Sequence, residues 1–160
     1  MTNLRATDLY HTGIIVKDVE ASMRQLTDLF GYRWLHPVEY PVPVWTPEGE
    51  STVTLQMVYS RDEPRLELIR EVPDSPWSFK GDTAIHHLGY FVDDVAAASK
   101  LLSDKGCPIE VSGNGDGVHP SGFAYHRCPG DLRVEVVPRG TIELMEAMTA
   151  SLEAGEEPAT

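Results

Sequence analysis

A chain of 160 residues with a formal net charge of −12 has room for one domain, or for two small modules sharing a core. Its 13 Lys and Arg against 25 Asp and Glu argue against nucleic acid as a partner, which calls for clustered cations. No stretch approaches the ~20 apolar residues of a membrane span, and the acidic surplus reads as solubility.

Residues 1–8 carry no basic region followed by an apolar run, so no secretory signal is expected and a cytoplasmic protein is. Residues 8–17 alternate, with Thr12, Ile14 and Val16 on one face and His11, Gly13 and Ile15 on the other, which predicts a strand. Asp18 is a helix N-cap, Val19, Met23, Leu26 and Phe30 recur at helical spacing, and Gly31 ends the helix. Residues 32–40 predict a second strand. Pro41, Pro43, Pro47 and Gly49 then predict a loop, with Trp45 as a lid candidate. Val53, Leu55, Met57 and Tyr59 mark a third strand over 51–59. After a polar turn at 61–64, Leu66 and Leu68 alternate with Glu67 in a fourth.

A linker is expected over 72–83, and the pattern then restarts. Residues 84–92 predict a strand and Asp94 caps a helix striped by Val95, Ala98, Leu101 and Leu102, which Gly106 closes. Strands are expected at 108–112, 121–126 and 132–138, with a Gly-rich loop at 113–117. A terminal helix is expected over 141–152 and a polar tail over 153–160. Cys107 and Cys128 form no disulfide framework by spacing and are read as packing residues.

The restart is a repeat. An offset of 76 places His11 on His87, Gly13 on Gly89, Val16 on Val92, Asp18 on Asp94, Val19 on Val95 and Ala21 on Ala97. An offset of 68 places Arg65-Leu66-Glu67-Leu68-Ile69 on Arg133-Val134-Glu135-Val136-Val137. The difference puts extra residues in the first unit, assigned to the Pro-rich stretch around Trp45. The expected division is 1–78, 79–140 and a C-terminal segment 141–160.

Each unit thus offers one His on its first strand and one Glu on its last. Period-two geometry sets Glu67 opposite Leu66 and Leu68, and Glu135 opposite Val134 and Val136. If the aliphatic faces pack on helices, two imidazoles and two carboxylates face one concave surface. Buried carboxylates need a cation, and this donor set suits Zn, Fe, Mn, Co or Ni without choosing among them. Glu67 and Glu135 could instead pair with Arg65 and Arg133, and His86 could replace His87. Met57, Tyr125 and His126 join Trp45 as pocket candidates.

The motifs His11-Thr-Gly-Ile-Ile-Val-Lys-Asp, Arg65-Leu-Glu-Leu-Ile, His87-Leu-Gly-Tyr-Phe-Val-Asp-Asp and Pro129-Gly-Asp-Leu-Arg-Val-Glu-Val-Val-Pro138 resemble the vicinal oxygen chelate superfamily of glyoxalases, epimerases, extradiol dioxygenases and bleomycin-resistance proteins. Ser75-Pro76-Trp77 and His86-His87-Leu88-Gly89 look closest to the methylmalonyl-CoA epimerase-like branch. The resemblance implies an α+β fold: two tandem βαβββ modules forming a cup-shaped mixed sheet with helices outside. It implies His11, Glu67, His87 and Glu135 as ligands of one divalent metal ion, a small carbonyl or acyl substrate, and a homodimer. The implied reaction is proton transfer next to a carbonyl, by an epimerase, isomerase or lyase, with Glu67 and Glu135 as the proton-handling groups. The alternatives are an Fe(II) ring-cleaving dioxygenase, whose family pattern uses two His and one Glu, and a non-enzymatic drug-binding protein.

Overall fold

The order strand, helix, three strands occurs twice among residues 4–155, which are described by a computed structural model. The first set is β1 (Leu9–Val16), α1 (Val19–Phe30), β2 (Val38–Thr46), β3 (Gly49–Tyr59) and β4 (Leu66–Arg70). The second is β5 (Ile85–Val92), α2 (Val95–Asp104), β6 (Ile109–Gly113), β7 (Phe123–Arg127) and β8 (Arg133–Pro138), followed by α3 (Thr141–Glu153). Both repeat helices start on the aspartate that the sequence marks. The Asp18 carboxylate accepts from the Ala21 N–H at 2.8 Å, and that of Asp94 from the Ala97 N–H at 2.9 Å. Gly31 closes α1 with φ 76°, a left-handed backbone that few other residues adopt.

The eight strands close into one barrel in the order β1-β4-β3-β2-β6-β7-β8-β5. Within each unit the first strand runs parallel to the last, while β1 and β5 join the units antiparallel. The aliphatic faces point outward. Leu68, Val58 and Ile14 pack under α1, and Val134, Val136 and Ala124 under α2. The alternate residues point inward, where Ile15, Val42, Leu55, Ile69, Trp77, Val111 and Tyr125 make a separate core. The helix α3 docks Ile142 and Met145 against Leu35 and Tyr59 at one end of the barrel.

Three expectations change. The Pro-rich stretch is a strand, not a loop, and the extra length of the first unit is a long β2–β3 hairpin. Pro43 accepts at its carbonyl from the Asn114 N–H, so its backbone polar groups face away from β3. Pro41, two residues before, faces the same way, and β2 meets β6 only at Val44 and Trp45. The missing N–H groups therefore cost no bond to β3. The cysteines are disulfide-bonded, with Cα atoms 4.3 Å apart. The β6–β7 register, which sets Ile109 opposite His126, continues two residues further and brings Cys107 opposite Cys128. The linker is packed: Trp77 within it is fully buried. No helix among the described residues is long and apolar enough to cross a membrane. The tail beyond Gly155 lies outside the described residues.

Candidate metal centre

Register builds the centre. Across β4, β1 and β5, Glu67 lies beside Gly13, which lies opposite His87. Across β1, β5 and β8, His11 lies opposite Gly89, which lies beside Glu135. The two rows are two residues apart, so period two sends all four side chains into the barrel. The glycines make this possible. A Cβ on Gly13 would overlap the His87 ring, and one on Gly89 would overlap the His11 ring. Each unit's glycine thus makes room for the other unit's imidazole.

All four residues are buried. His11 Nε2 lies 3.1 Å from Glu67 Oε2, 3.2 Å from Glu135 Oε2 and 2.7 Å from His87 Nε2. His87 Nε2 lies 3.1 Å from Glu67 Oε2 and 3.3 Å from Glu135 Oε2. The four donor atoms all lie within 4.8 Å of one another, a spacing that one small divalent ion can bridge. Despite their closeness to the imidazoles, Glu67 Oε2 and Glu135 Oε2 receive no aligned hydrogen bond. Buried carboxylate oxygens with no donor aimed at them are costly, and a divalent cation between them removes that cost. His11, Glu67, His87 and Glu135 could therefore hold such an ion.

The electrostatics agree. Burial alone would lower the His11 imidazole, but Glu67, with Glu135, raises it to about 9. His87 is raised against burial by Glu135 and Glu67. Both carboxyls are pulled below their usual range against burial, Glu67 chiefly by His11 and Glu135 chiefly by His87. The pocket calls for positive charge at its centre, in protons or in metal.

His86 sits behind His87 and not in the cluster. Its Nε2 is 2.7 Å from the Pro76 carbonyl and its Nδ1 is 2.9 Å from His87 Nδ1. The carbonyl can only accept, so His86 carries its proton on Nε2 and accepts at Nδ1 from His87 Nδ1–H. His87 is thereby left with a bare Nε2 facing the carboxylates. Burial, with Arg133 nearby, lowers His86 to about 3 and keeps it neutral in this role.

The arginine alternative fails on geometry. Arg133 donates to Glu110 at 2.7 and 2.8 Å, and Arg65 to the Ser60 carbonyl at 2.6 Å. Tyr125 and Met57 line a cavity of about 410 Å³ that ends on Glu135. Trp45 lies outside that cavity, half-buried on β2 with its ring over Gly117, so it is not placed as a lid. His126 points to the other face of the sheet, under α2, with its two nitrogens 2.8 Å from the Cys107 carbonyl and from Ser99 Oγ. Alternation along β7 sets His126 opposite Tyr125, which excludes one of them from any interior site. Gly13, Gly89 and His86 are the contributors that motif reading passes over. The signal for the glycines was in the repeat, two residues after each His.

A family profile described as the Glyoxalase/Bleomycin resistance protein/Dioxygenase superfamily matches residues 10–125. The chain belongs to that superfamily. No curated protein matches it significantly. Among solved structures it is similar to a methylmalonyl-CoA epimerase variant from Streptomyces coelicolor in complex with 2-nitronate-propionyl-CoA, at 18% identity and TM-score 0.58, over 85% of this chain and 98% of that one. The epimerase from Mycobacterium tuberculosis gives 18% identity and TM-score 0.54, over 86% and 92%. A 4-hydroxymandelate synthase mutant from Streptomyces coelicolor gives 20% identity and TM-score 0.56, over 86% of this chain and 39% of that one. These likenesses concern the fold.

Proposed function

We propose that this member of the superfamily is a divalent-metal-dependent enzyme that moves a proton at a carbon next to a carbonyl, as an epimerase, isomerase or lyase. The observation that carries the reading is the convergence of four buried donor atoms, two of them carboxylate oxygens without aligned donors. A bound divalent cation would supply Lewis-acid stabilisation of negative charge on a substrate oxygen.

The chain's own groups divide the remaining work. Glu135 is the one carboxylate on the cavity wall, so it is the group that meets a substrate C–H there. Glu67 is 1% exposed and does not line that cavity, so its part is to hold charge and shape. The carboxylate of Glu135 takes the proton and returns it to a neighbouring atom in an isomerase or lyase step, or to the opposite face of the same carbon, once the intermediate has turned, in an epimerase. The Tyr125 hydroxyl, also on the cavity wall, accepts from Trp77 Nε1–H at 3.2 Å and keeps its own proton to donate to a substrate oxygen. Burial, reinforced by Glu135, raises that phenol well above its usual range and holds it protonated.

The test is metal content per chain by elemental analysis, with deuterium uptake at the acidic carbon of candidate carbonyl compounds in D₂O. About one Co, Ni, Zn or Mn per chain is expected, lost in Glu67→Ala and His87→Ala. Glu135→Gln is expected to abolish exchange. Iron retained in Glu67→Ala, with oxygen uptake on catechols, would replace this reading with a ring-cleaving dioxygenase. Failure to take up any metal would leave a binding protein.

A further inference from the structure

We infer that the substrate of this site is a small, uncharged, ring-bearing carbonyl compound, and not a coenzyme A thioester or a polyanionic acid. The inference rests on the metal-dependent reading above and adds the substrate class. It comes from the walls of the 410 Å³ cavity that leads to Glu135. Leu55, Met57, Ile69, Trp77, Phe123 and Tyr125 form its inner part. Tyr40, Leu144 and Met145 stand further along, and Leu144 is an exposed apolar residue of α3. No Lys, Arg or His lines it, and its one carboxylate is Glu135.

That lining selects by charge. A coenzyme A thioester would carry its phosphates out past the exposed end of the cavity, where Tyr40, Leu144 and Met145 offer apolar surface and none of the Arg or Lys that phosphates call for. A polyacid would bring several negative charges to a cavity with no Lys, Arg or His on its wall, where a divalent ion held by Glu67 and Glu135 is already charge-balanced by their two carboxylates. The cations nearest the barrel interior are engaged elsewhere. Arg127 and Arg133 both bond to Glu110 and line a different cavity with Lys80, which reaches His86 and not the four-residue cluster.

The lining also selects by shape. The Phe123 and Tyr125 rings lie 5.3 Å apart and tilted, and Trp77 meets Phe123 edge-on at 6.3 Å. Their faces and edges suit a flat ring, whose hydrogens and π-cloud match these quadrupoles. The volume lies within the range of roughly 300–1,000 Å³ usual for small-molecule sites. One polar handle fits: Tyr125 is paired with Glu135 across β7 and β8 and both line the cavity, so a carbonyl oxygen can meet the Tyr125 O–H near the charge centre while the ring fills the apolar part. The reaction on such a probe balances: the α C–H bond breaks, its electron pair stays in the enolate, its proton passes to the Glu135 carboxylate and exchanges there with D₂O, and the deuteron is delivered to the same carbon.

The experiment uses the metal-loaded full chain and two probes, 2-tetralone and propionyl-CoA. Calorimetry measures binding, and proton NMR in D₂O measures exchange at the α-carbon. Expected are 2-tetralone binding at least about tenfold tighter than propionyl-CoA, and a loss of about tenfold in Phe123→Ala with metal content unchanged. Leu144→Ala, at an exposed position, serves as a second wall variant should Phe123→Ala misfold, and is expected to weaken 2-tetralone. Equal or tighter binding of propionyl-CoA, no binding of 2-tetralone, or its undiminished binding in both variants overturns the inference. Binding of 2-tetralone without exchange upholds the substrate class and counts against the proton-transfer reading. Exchange confined to propionyl-CoA does the reverse.

Discussion

Gly89→Ala tests whether the repeated glycines exist for the site. Gly89 has no positive φ, so the backbone accepts alanine. What forbids it is the His11 ring, into which the new Cβ would project. The ring cannot step aside. It is buried, with the Tyr10 ring centroid at 4.3 Å, that of His87 at 4.8 Å and that of Tyr59 at 5.4 Å. Overpacking a filled core costs about 1–3 kcal/mol, and a clash with a hemmed-in ring belongs at the upper end, about 3 kcal/mol. Displacing a ligand should weaken metal binding by more than the ~10–100-fold typical of outer-shell changes. The assay is urea unfolding of metal-free protein for Gly89→Ala, His11→Ala and the double variant. In the His11→Ala background the added methyl group meets empty space and should cost close to nothing, giving a coupling energy of about 3 kcal/mol. Metal binding should stay lost in the double variant. A Gly89→Ala protein of parental stability and metal content, or a double variant whose losses merely add, would refute the reasoning.

Three further outcomes are expected. His86→Phe removes the acceptor that holds the His87 Nδ1 proton, so chelator competition should show metal affinity reduced by about 10–100-fold, with partial recovery in His86→Asn, whose amide oxygen can accept in the same place. Glu110 is lowered from its ordinary value of 4.5 to about 2, against burial, by Arg133 and then Arg127. Its stabilisation is fully present above pH ~4.5 and lost as pH falls through ~2; Glu110→Gln should lower unfolding free energy at pH 7 by about 2 kcal/mol and flatten its acid dependence in that window. Saturating metal at about 1,000 times its Kd should stabilise the chain by about 4 kcal/mol, or roughly 10 °C in thermal midpoint, reversed by chelator and absent in Glu67→Ala.

The fold was legible because it is written twice. Asp18 and Asp94 cap helices at matching places, and period two assigned the faces of β1, β4, β5 and β8. The grouping of His11, Glu67, His87 and Glu135 followed from the same alternation. Two things escaped because they depend on pairing between strands, which composition along one strand does not reveal. The prolines of β2 are tolerated only because their backbone faces away from β3. The Cys107–Cys128 bond depends on the β6–β7 register. His126 escaped for a simpler reason: as Tyr125's neighbour it must face the other way, so both could not line one cavity.

The repeat is symmetric in its four donor residues and asymmetric around them. His87 has His86 behind it, while among the described residues no partner meets His11 Nδ1. The residue at His86's position in the first unit is Tyr10, whose hydroxyl lies 3.3 Å from that of Tyr59 and whose ring stacks on Phe91 at 3.8 Å. The Tyr10 hydroxyl is turned to Tyr59 and not to the imidazole beside it, where its ring packs instead. Glu135 meets a cavity and Glu67 does not, and the β2–β3 hairpin and α3 supply Tyr40, Leu55, Met57, Leu144 and Met145 to its walls. The repeat brings four donors to one point; the unequal surroundings give His87 a fixed tautomer and put Glu135, of the two carboxylates, on the cavity wall.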